Sequence, residues 1–171
     1  MVALMERDNQ VYVAAATMGG RLETSRARPM GAVAGLDDEG FRGRSGTGGW
    51  TPAEVAAHLL DMERVLMIWA HEAISADDVV VAPIRDDERL EQAALARRMA
   101  VPQLIHRLLA RRRDTTRFLA GPSDLELARP LFHPDWGSLT VGMLFQRIAE
   151  HEEAHASQIK ALRVEAIAPA S

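Results

Sequence analysis

Apolar residues recur along this chain with the period of an α-helix, and four segments show the pattern. These segments cover about Met18–Leu36, Pro52–Ile74, Glu88–Leu119 and residues 138 or 140 to 164. No stretch alternates between apolar and polar residues over a length that competes with the helical pattern. The sequence therefore predicts an all-α protein, an antiparallel four-helix bundle with long connections.

The second predicted helix has the clearest start signal. Thr51 is suited to the N-cap, Pro52 fits the first helical position, and Glu54 completes a capping box with the threonine. The apolar residues that follow keep the helical period: Val55, Leu59, Met62, Leu66 and Trp69. We expect this helix to reach about Ile74.

Glycine, proline and polar residues mark the connections. Gly40–Gly49 is predicted to be a loop, and residues 77–88 read as a connection whose Val79–Val81 run has no partner strand. Pro122–Gly137 forms a second long connection. Pro102 is expected to kink the third helix or to mark its restart, with Leu104, Leu108, Thr115 and Leu119 among its core candidates.

The 171 residues suit one domain, with the bundle at about residues 18–164 and an N-terminal extension at residues 1–17. The extension is compatible with a short helix or a strand-like tail. It does not read as a signal peptide, since its opening is charged and its apolar stretch short, and no apolar run approaches the roughly 20 residues that span a bilayer. We expect a soluble, cytoplasmic protein that does not enter membranes.

Composition excludes several kinds of chemistry. The chain has no cysteine, which rules out disulfides, thiolate metal ligands and a cysteine nucleophile. The net charge of −4 argues against a basic surface for nucleic acid. One basic cluster, Arg111–Arg113 with Arg107 and Arg117 nearby, reads more readily as a solvated helix face than as a phosphate-binding patch.

Three histidines interrupt apolar stripes. His151 and His155 lie four residues apart in the stripe of the last helix, so their rings project from adjacent turns on one side. His58 falls on the inward side of the second helix, between Val55 and Met62. A buried imidazole without a partner costs on the order of 1–3 kcal/mol, whereas a leucine there would gain about 1.5–3 kcal/mol.

A divalent metal would satisfy all three imidazoles at once, and spacing of four residues allows one rigid helix to chelate it. A lone core histidine is usually only hydrogen-bonded, but the pair and a third histidine able to face it favour a metal site. The other histidines carry weaker signals. His71 and His106 read as surface or edge residues, and His133 as a loop residue that could line a pocket mouth.

Two motifs resemble the DinB-like superfamily. Residues 50–59 read WTPAEVAAHL and match the pattern W-[ST]-x-x-E-[VI]-x-x-H-[LI]; residues 133–140 read HPDWGSLT and are followed by HEEAHASQI at residues 151–159. The resemblance covers about residues 20–163. It departs from the family pattern at Pro29 in the first helix and in the extra N-terminal residues.

The resemblance implies a four-helix bundle that holds a divalent metal with His58, His151 and His155. It also implies a homodimer, a small-molecule substrate and, among characterised enzymes, metal-dependent S-transfer that uses low-molecular-weight thiols in detoxification or stress response. Three imidazole ligands are compatible with zinc, nickel, iron and manganese, so the ligands do not identify the metal. Glu54 and Glu152 are candidate catalytic or proton-handling groups, although a capping role for Glu54 and a solvated helix face for Glu152 compete with that interpretation.

Three functional hypotheses follow. The first is a metal-dependent enzyme such as the thiol S-transferase, because three imidazoles leave a coordination position open. The second is a non-catalytic metal- or small-molecule-binding stress protein. The third and most remote is a zinc peptidase, since residues 151–155 formally match H-E-x-x-H. Only 16 residues follow His155 and no strand pattern accompanies the helix, which argues against the third.

Overall fold

Four long helices account for most of the fold. The computed structural model describes residues 15–43, 49–84, 94 and 98–167. Its helices are α1 (Ala15–Val33), α2 (Asp38–Arg42), α3 (Pro52–Ser75), α4 (Val101–Leu119), α5 (Asp124–Leu127) and α6 (Val141–Ile167); its strands are β1 (Pro130–His133) and β2 (Gly137–Thr140). Helix α1 packs against α4 and α6, and α3 packs against the same two helices. The predicted all-α four-helix bundle is confirmed.

The predicted start of α3 is confirmed in detail. The Thr51 hydroxyl accepts a hydrogen bond from the Glu54 backbone N–H at 3.1 Å, and the Glu54 carboxylate accepts one from the Thr51 N–H at 2.8 Å. Pro52 occupies the first turn, where it removes no helical hydrogen bond. The helix ends at Ser75, one residue beyond the predicted end.

Two apolar clusters fill the bundle. One lies beside the β-strands and includes Leu66, Trp69, Leu144 and Phe145. The other lies beside α2 and includes Phe41, Val55, Leu104, Leu108 and Ile159. The four core candidates of the third predicted helix, Leu104, Leu108, Thr115 and Leu119, are all buried.

A buried charge network joins the four long helices, each of which contributes one residue: Arg26, Glu63, Arg112 and Glu152. Arg26 Nε donates to Glu152 Oε1 at 2.6 Å, and Arg112 donates to the same oxygen at 2.8 Å. Arg112 Nε lies 3.0 Å from Glu63 Oε1, and Arg26 also bonds Glu63. Two cations and two carboxylates balance, as buried charges must.

The prediction that Glu152 lies on a solvated helix face is wrong, because only 2% of the residue is exposed. Its carboxylate also accepts a hydrogen bond from the Ser25 hydroxyl. Burial raises the pKa of Glu152, while Arg26, Arg112 and Ser25 act in the opposite direction. The partners come from distant parts of the sequence, so no local pattern announces them.

The connections contain more regular structure than predicted. Strands β1 and β2 form an antiparallel hairpin that begins in the supposed 122–137 connection and ends at the predicted start of the last helix, with Leu131 opposite Leu139. The prediction that Val79–Val81 has no partner is also wrong. The Val81 N–H donates to the Phe132 carbonyl and the Phe132 N–H to the Val79 carbonyl, both at 2.9 Å. Four-residue strands are too short to show a clear alternation.

Helix boundaries differ from the prediction at several points, and α6 itself covers Val141–Ile167 rather than residues 138 or 140 to 164. Residues 38–42, partly inside the predicted 40–49 loop, form α2, because Asp37 caps the turn and Phe41 is buried in the core. Helix α1 begins at Ala15 and continues through Pro29 to Val33. Pro102 lies in the first turn of α4 and so marks a helix start. Predictions for residues 1–14, 44–48, 85–93 and 95–97 lie outside the described residues.

His133 is not a loop residue, as the sequence predicted, but lies in β1, where only 2% of it is exposed. Its ring stacks on Trp136, with centroids 4.2 Å apart. Its Nδ1 atom accepts hydrogen bonds from the backbone N–H groups of Asp135 (3.1 Å) and Trp136 (3.2 Å), so the ring is neutral. Burial lowers the pKa of His133; Asp135 opposes this effect and Arg147 adds to it.

We predict that Glu152→Gln destabilises the bundle by about 3–5 kcal/mol, because Arg26 and Arg112 then share one carboxylate in the interior. Chemical denaturation measures the loss. Glu150→Gln is the matched control on the same helix, since Glu150 is exposed and lies 3.5 Å from Arg21. It should change stability by no more than about 0.5 kcal/mol. Equal losses in the two variants would contradict the role given to the network.

We predict that His133 makes stability fall as the pH drops below about 6.5, the ordinary histidine pKa. The ring stays neutral in the folded state, so the unfolded chain binds a proton at a higher pH than the folded chain does. Each pH unit below that value therefore lowers the free energy of unfolding by at most about 1.4 kcal/mol. Above that pH both states are neutral and the effect vanishes. His133→Asn keeps an acceptor but cannot titrate, and denaturation between pH 5 and 8 should show a flatter profile than wild type. An unchanged profile would refute this.

Candidate metal centre

The three predicted metal ligands come together where α3 packs beside α6. His58 lies in the second turn of α3, soon after the capping box. His151 and His155 lie one turn apart on α6. Their Nε2 atoms converge: His58 Nε2 and His155 Nε2 are each 3.0 Å from His151 Nε2. One ligand atom from each residue lies within 4.8 Å of the others.

This geometry fits a divalent ion. Imidazole nitrogens bind zinc at about 2.0–2.1 Å, so two nitrogens on one ion stand about 3 Å apart or slightly more. The tautomer of His155 also fits. Its Nδ1 lies 2.6 Å from Gln158 Oε1, which can only accept, so Nδ1 carries the proton and Nε2 keeps its lone pair. The donor set and its orientation could therefore hold a metal ion.

The protonation equilibrium of His155 favours ligation. Burial lowers the pKa of His155, and the hydrogen bond with Gln158 partly opposes that effect. The neutral form, which is the form that binds metals, is therefore present at neutral pH.

The centre is not fully enclosed, since all three histidines are partly exposed. Trp50, itself 37% exposed, stands edge-on to the His58 ring with centroids 4.9 Å apart. Trp50 therefore borders the histidine triad on the side of α3.

The two candidate carboxylates are placed differently from the histidines. Glu54 is buried one turn before His58, where its carboxylate closes the capping box. Glu152 follows His151 directly, but its carboxylate bonds Arg26, Arg112 and Ser25. Neither carboxylate belongs to the group of converging ligand atoms.

Sequence reasoning missed two kinds of residue. Gln158 was noted only as part of the motif at residues 151–159, although its place three residues after His155 allows a contact on the same helix face. Arg26 and Glu63 carried no signal, because a charged residue on an amphipathic helix ordinarily faces water. Their burial follows from the pairing of four helices.

The fold and site together define a four-helix bundle with a histidine triad able to hold a metal. The chain belongs to the DinB superfamily, whose family model matches residues 21–159. This confirms the resemblance seen in the motifs. No curated protein sequence matches the chain. Among the described residues, no helix has the length and apolar character required to cross a bilayer.

Two solved structures share the fold. YfiT from Bacillus subtilis, described as a probable metal-dependent hydrolase with an unusual four-helix bundle topology, has 19% identity and a TM-score of 0.70, with 86% of each chain covered. A protein from Streptococcus pneumoniae has 13% identity and a TM-score of 0.65, with 90% of each chain covered. At these identities the likeness concerns the fold.

We predict that His155→Ala lowers the bound metal to well below one ion per chain, because only two imidazoles then remain in the centre. Elemental analysis of purified protein measures the stoichiometry and also identifies the metal. His106→Ala is the matched control, since His106 is exposed on α4 and outside the triad. Undiminished metal in the His155 variant would refute the three-histidine assignment.

Proposed function

We propose that the protein is a metal-dependent enzyme whose divalent ion is held by His58, His151 and His155 and whose substrate is a small molecule. The observation that carries this proposal is the convergence of three partly exposed histidines, in which the Nε2 atoms of His58 and His155 each lie 3.0 Å from His151 Nε2. Three protein ligands leave a coordination position open, as in catalytic zinc sites. A structural site would instead be closed by a fourth ligand.

The ion would lower the pKa of a bound thiol or water and so supply a nucleophile at neutral pH. The chain's own residues hold the ligands in place. Gln158 orients the His155 ring, and Trp50 lies against His58 and restricts the approach of substrate. We assign positioning roles to Glu54, which caps the helix carrying His58, and to Glu152, which anchors the helix carrying the other two ligands.

Transfer of a low-molecular-weight thiol to an electrophilic substrate is the reaction we propose first, since the DinB-like resemblance implies it. Such a reaction would serve detoxification or stress response. Metal-dependent hydrolysis is the second candidate, supported by the description of the similar B. subtilis YfiT. A non-catalytic metal-binding stress protein remains the alternative to both. The homodimer implied by the family stays a prediction, and so does the choice among zinc, nickel, iron and manganese.

The position of Glu152 argues against the zinc peptidase hypothesis. In an H-E-x-x-H peptidase the glutamate acts as general base at the metal. Here the corresponding Glu152 is enclosed by two arginines and a serine. Within the described ranges, regular β-structure is limited to the β1–β2 hairpin and the bridge at Val80.

We predict that the metal-loaded protein transfers mycothiol, bacillithiol or glutathione to an electrophilic acceptor, and that chelation or His58→Ala abolishes the reaction. Product formation is followed with each thiol and, to detect the hydrolase alternative, without thiol on ester and amide substrates. His106→Ala is the control that should keep full activity.

Full metal occupancy with no turnover of any thiol or hydrolysable substrate would count against an enzyme and favour the stress-protein alternative. Turnover that survives both chelation and the His58 substitution would place the reaction outside the histidine triad.

A further inference from the structure

A groove follows the seam between α3 and α4, whereas the histidine triad joins α3 to α6. It consists of two adjoining cavities of about 430 and 180 Å³ that share Arg64, Arg111 and Asp114. The larger cavity falls within the roughly 300–1,000 Å³ of small-molecule sites. Its lining residues are Leu60, Asp61, Arg64, Arg107, Ala110, Arg111 and Asp114.

The larger cavity is the basic end of the groove. Arg64 is already paired with Asp61 at 2.8 Å, and Asp114 is paired with Arg117 at 3.1 Å. Arg107 and Arg111 make no ion pair with any acidic residue in the described part of the chain. The Arg111 Nε atom is buried there without a hydrogen-bond partner. The positive charge of Arg111 is therefore not balanced by an acidic partner at this end of the groove.

The smaller cavity is the apolar end of the groove. Met67, Ile68 and Phe118 line it. Ile68 is 42% exposed, although most large apolar side chains of α3 are buried. The His71 ring packs on Phe118, with centroids 4.2 Å apart, and flanks this end. Cationic and apolar surfaces therefore adjoin along one continuous groove.

We propose that this groove binds a small organic anion that carries an apolar group. The anionic head, a carboxylate or a phosphate, would lie between Arg107 and Arg111, because guanidinium groups bind both by paired charge-assisted hydrogen bonds. The apolar part would lie along Ile68 and Phe118, where it would remove exposed apolar surface from water. This site does not depend on the metal or on the proposed reaction.

The groove separates residues that the sequence grouped together. Arg113 and Arg117 are exposed and fit the predicted solvated helix face. Arg112 points into the bundle and belongs to the buried charge network. Arg111 lies between these extremes, partly buried in the groove wall. The solvated-face interpretation therefore holds for Arg113 and Arg117 and is wrong for Arg112, while Arg111 contributes to the groove wall.

The test measures binding of octanoate and octyl phosphate to the full chain by calorimetry. Octylammonium, with the same tail and the opposite charge, and inorganic phosphate, which has no tail, are the comparison ligands. The variants are Arg107→Met and Arg111→Met, with Arg113→Met as the matched control on the same helix. Thermal unfolding is recorded for each variant, and the exposed Arg107 keeps the test valid if the Arg111 substitution disturbs folding.

We expect saturable binding of at least one octyl anion and none of octylammonium. Each groove substitution should weaken it by about tenfold or more, the equivalent of one lost charge-assisted hydrogen bond, and Arg113→Met should leave it unchanged. The preferred anion then identifies the head group as carboxylate or phosphate. Binding of neither anion, equal binding of octylammonium or of inorganic phosphate, or equal loss in the Arg113 variant would overturn the proposal.

Discussion

The rest of the structure depends on four buried charges, one from each long helix. Arg26, Glu63, Arg112 and Glu152 balance only when the four helices meet in one arrangement. Rotating or sliding a single helix would leave an uncompensated charge in the interior, at a cost of several kcal/mol. An apolar core tolerates such shifts far better, since apolar contacts are not directional. The network therefore selects one packing among the several that an amphipathic pattern permits.

The metal centre follows from this constraint. Glu152 and His151 are adjacent on α6, so their side chains point about 100° apart, one to the network and the other toward α3. Glu63 ties α3, which carries His58, to the same network. Once these helices are locked, the His58 and His151 nitrogens meet at 3.0 Å. The capping box then fixes the start of the helix that carries His58, and the Gln158 contact orients the His155 ring.

One run of arginines shows how differently a bundle can use similar residues. Arg112 is a structural cation in the interior, Arg111 faces a groove between helices, and Arg113 faces water. Adjacent positions on a helix differ by about 100°, so three in a row sample most of its circumference. The histidine triad and the groove consequently share helix α3 but lie beside different neighbouring helices, α6 for the triad and α4 for the groove.

The four-helix class, the start of α3 and the His151–His155 pair were predictable from the sequence, because they rest on local periodicity, capping chemistry and spacing along one helix. The resemblance to the DinB-like superfamily joined His58 to that pair. The burial of Glu152, the core position of His133 and the pairing of Val80 with Phe132 arise only when the chain folds. Each of these depends on a partner far away in the chain. A charge or a short strand has no local signature of that partner, and its environment exists only once the helices have packed.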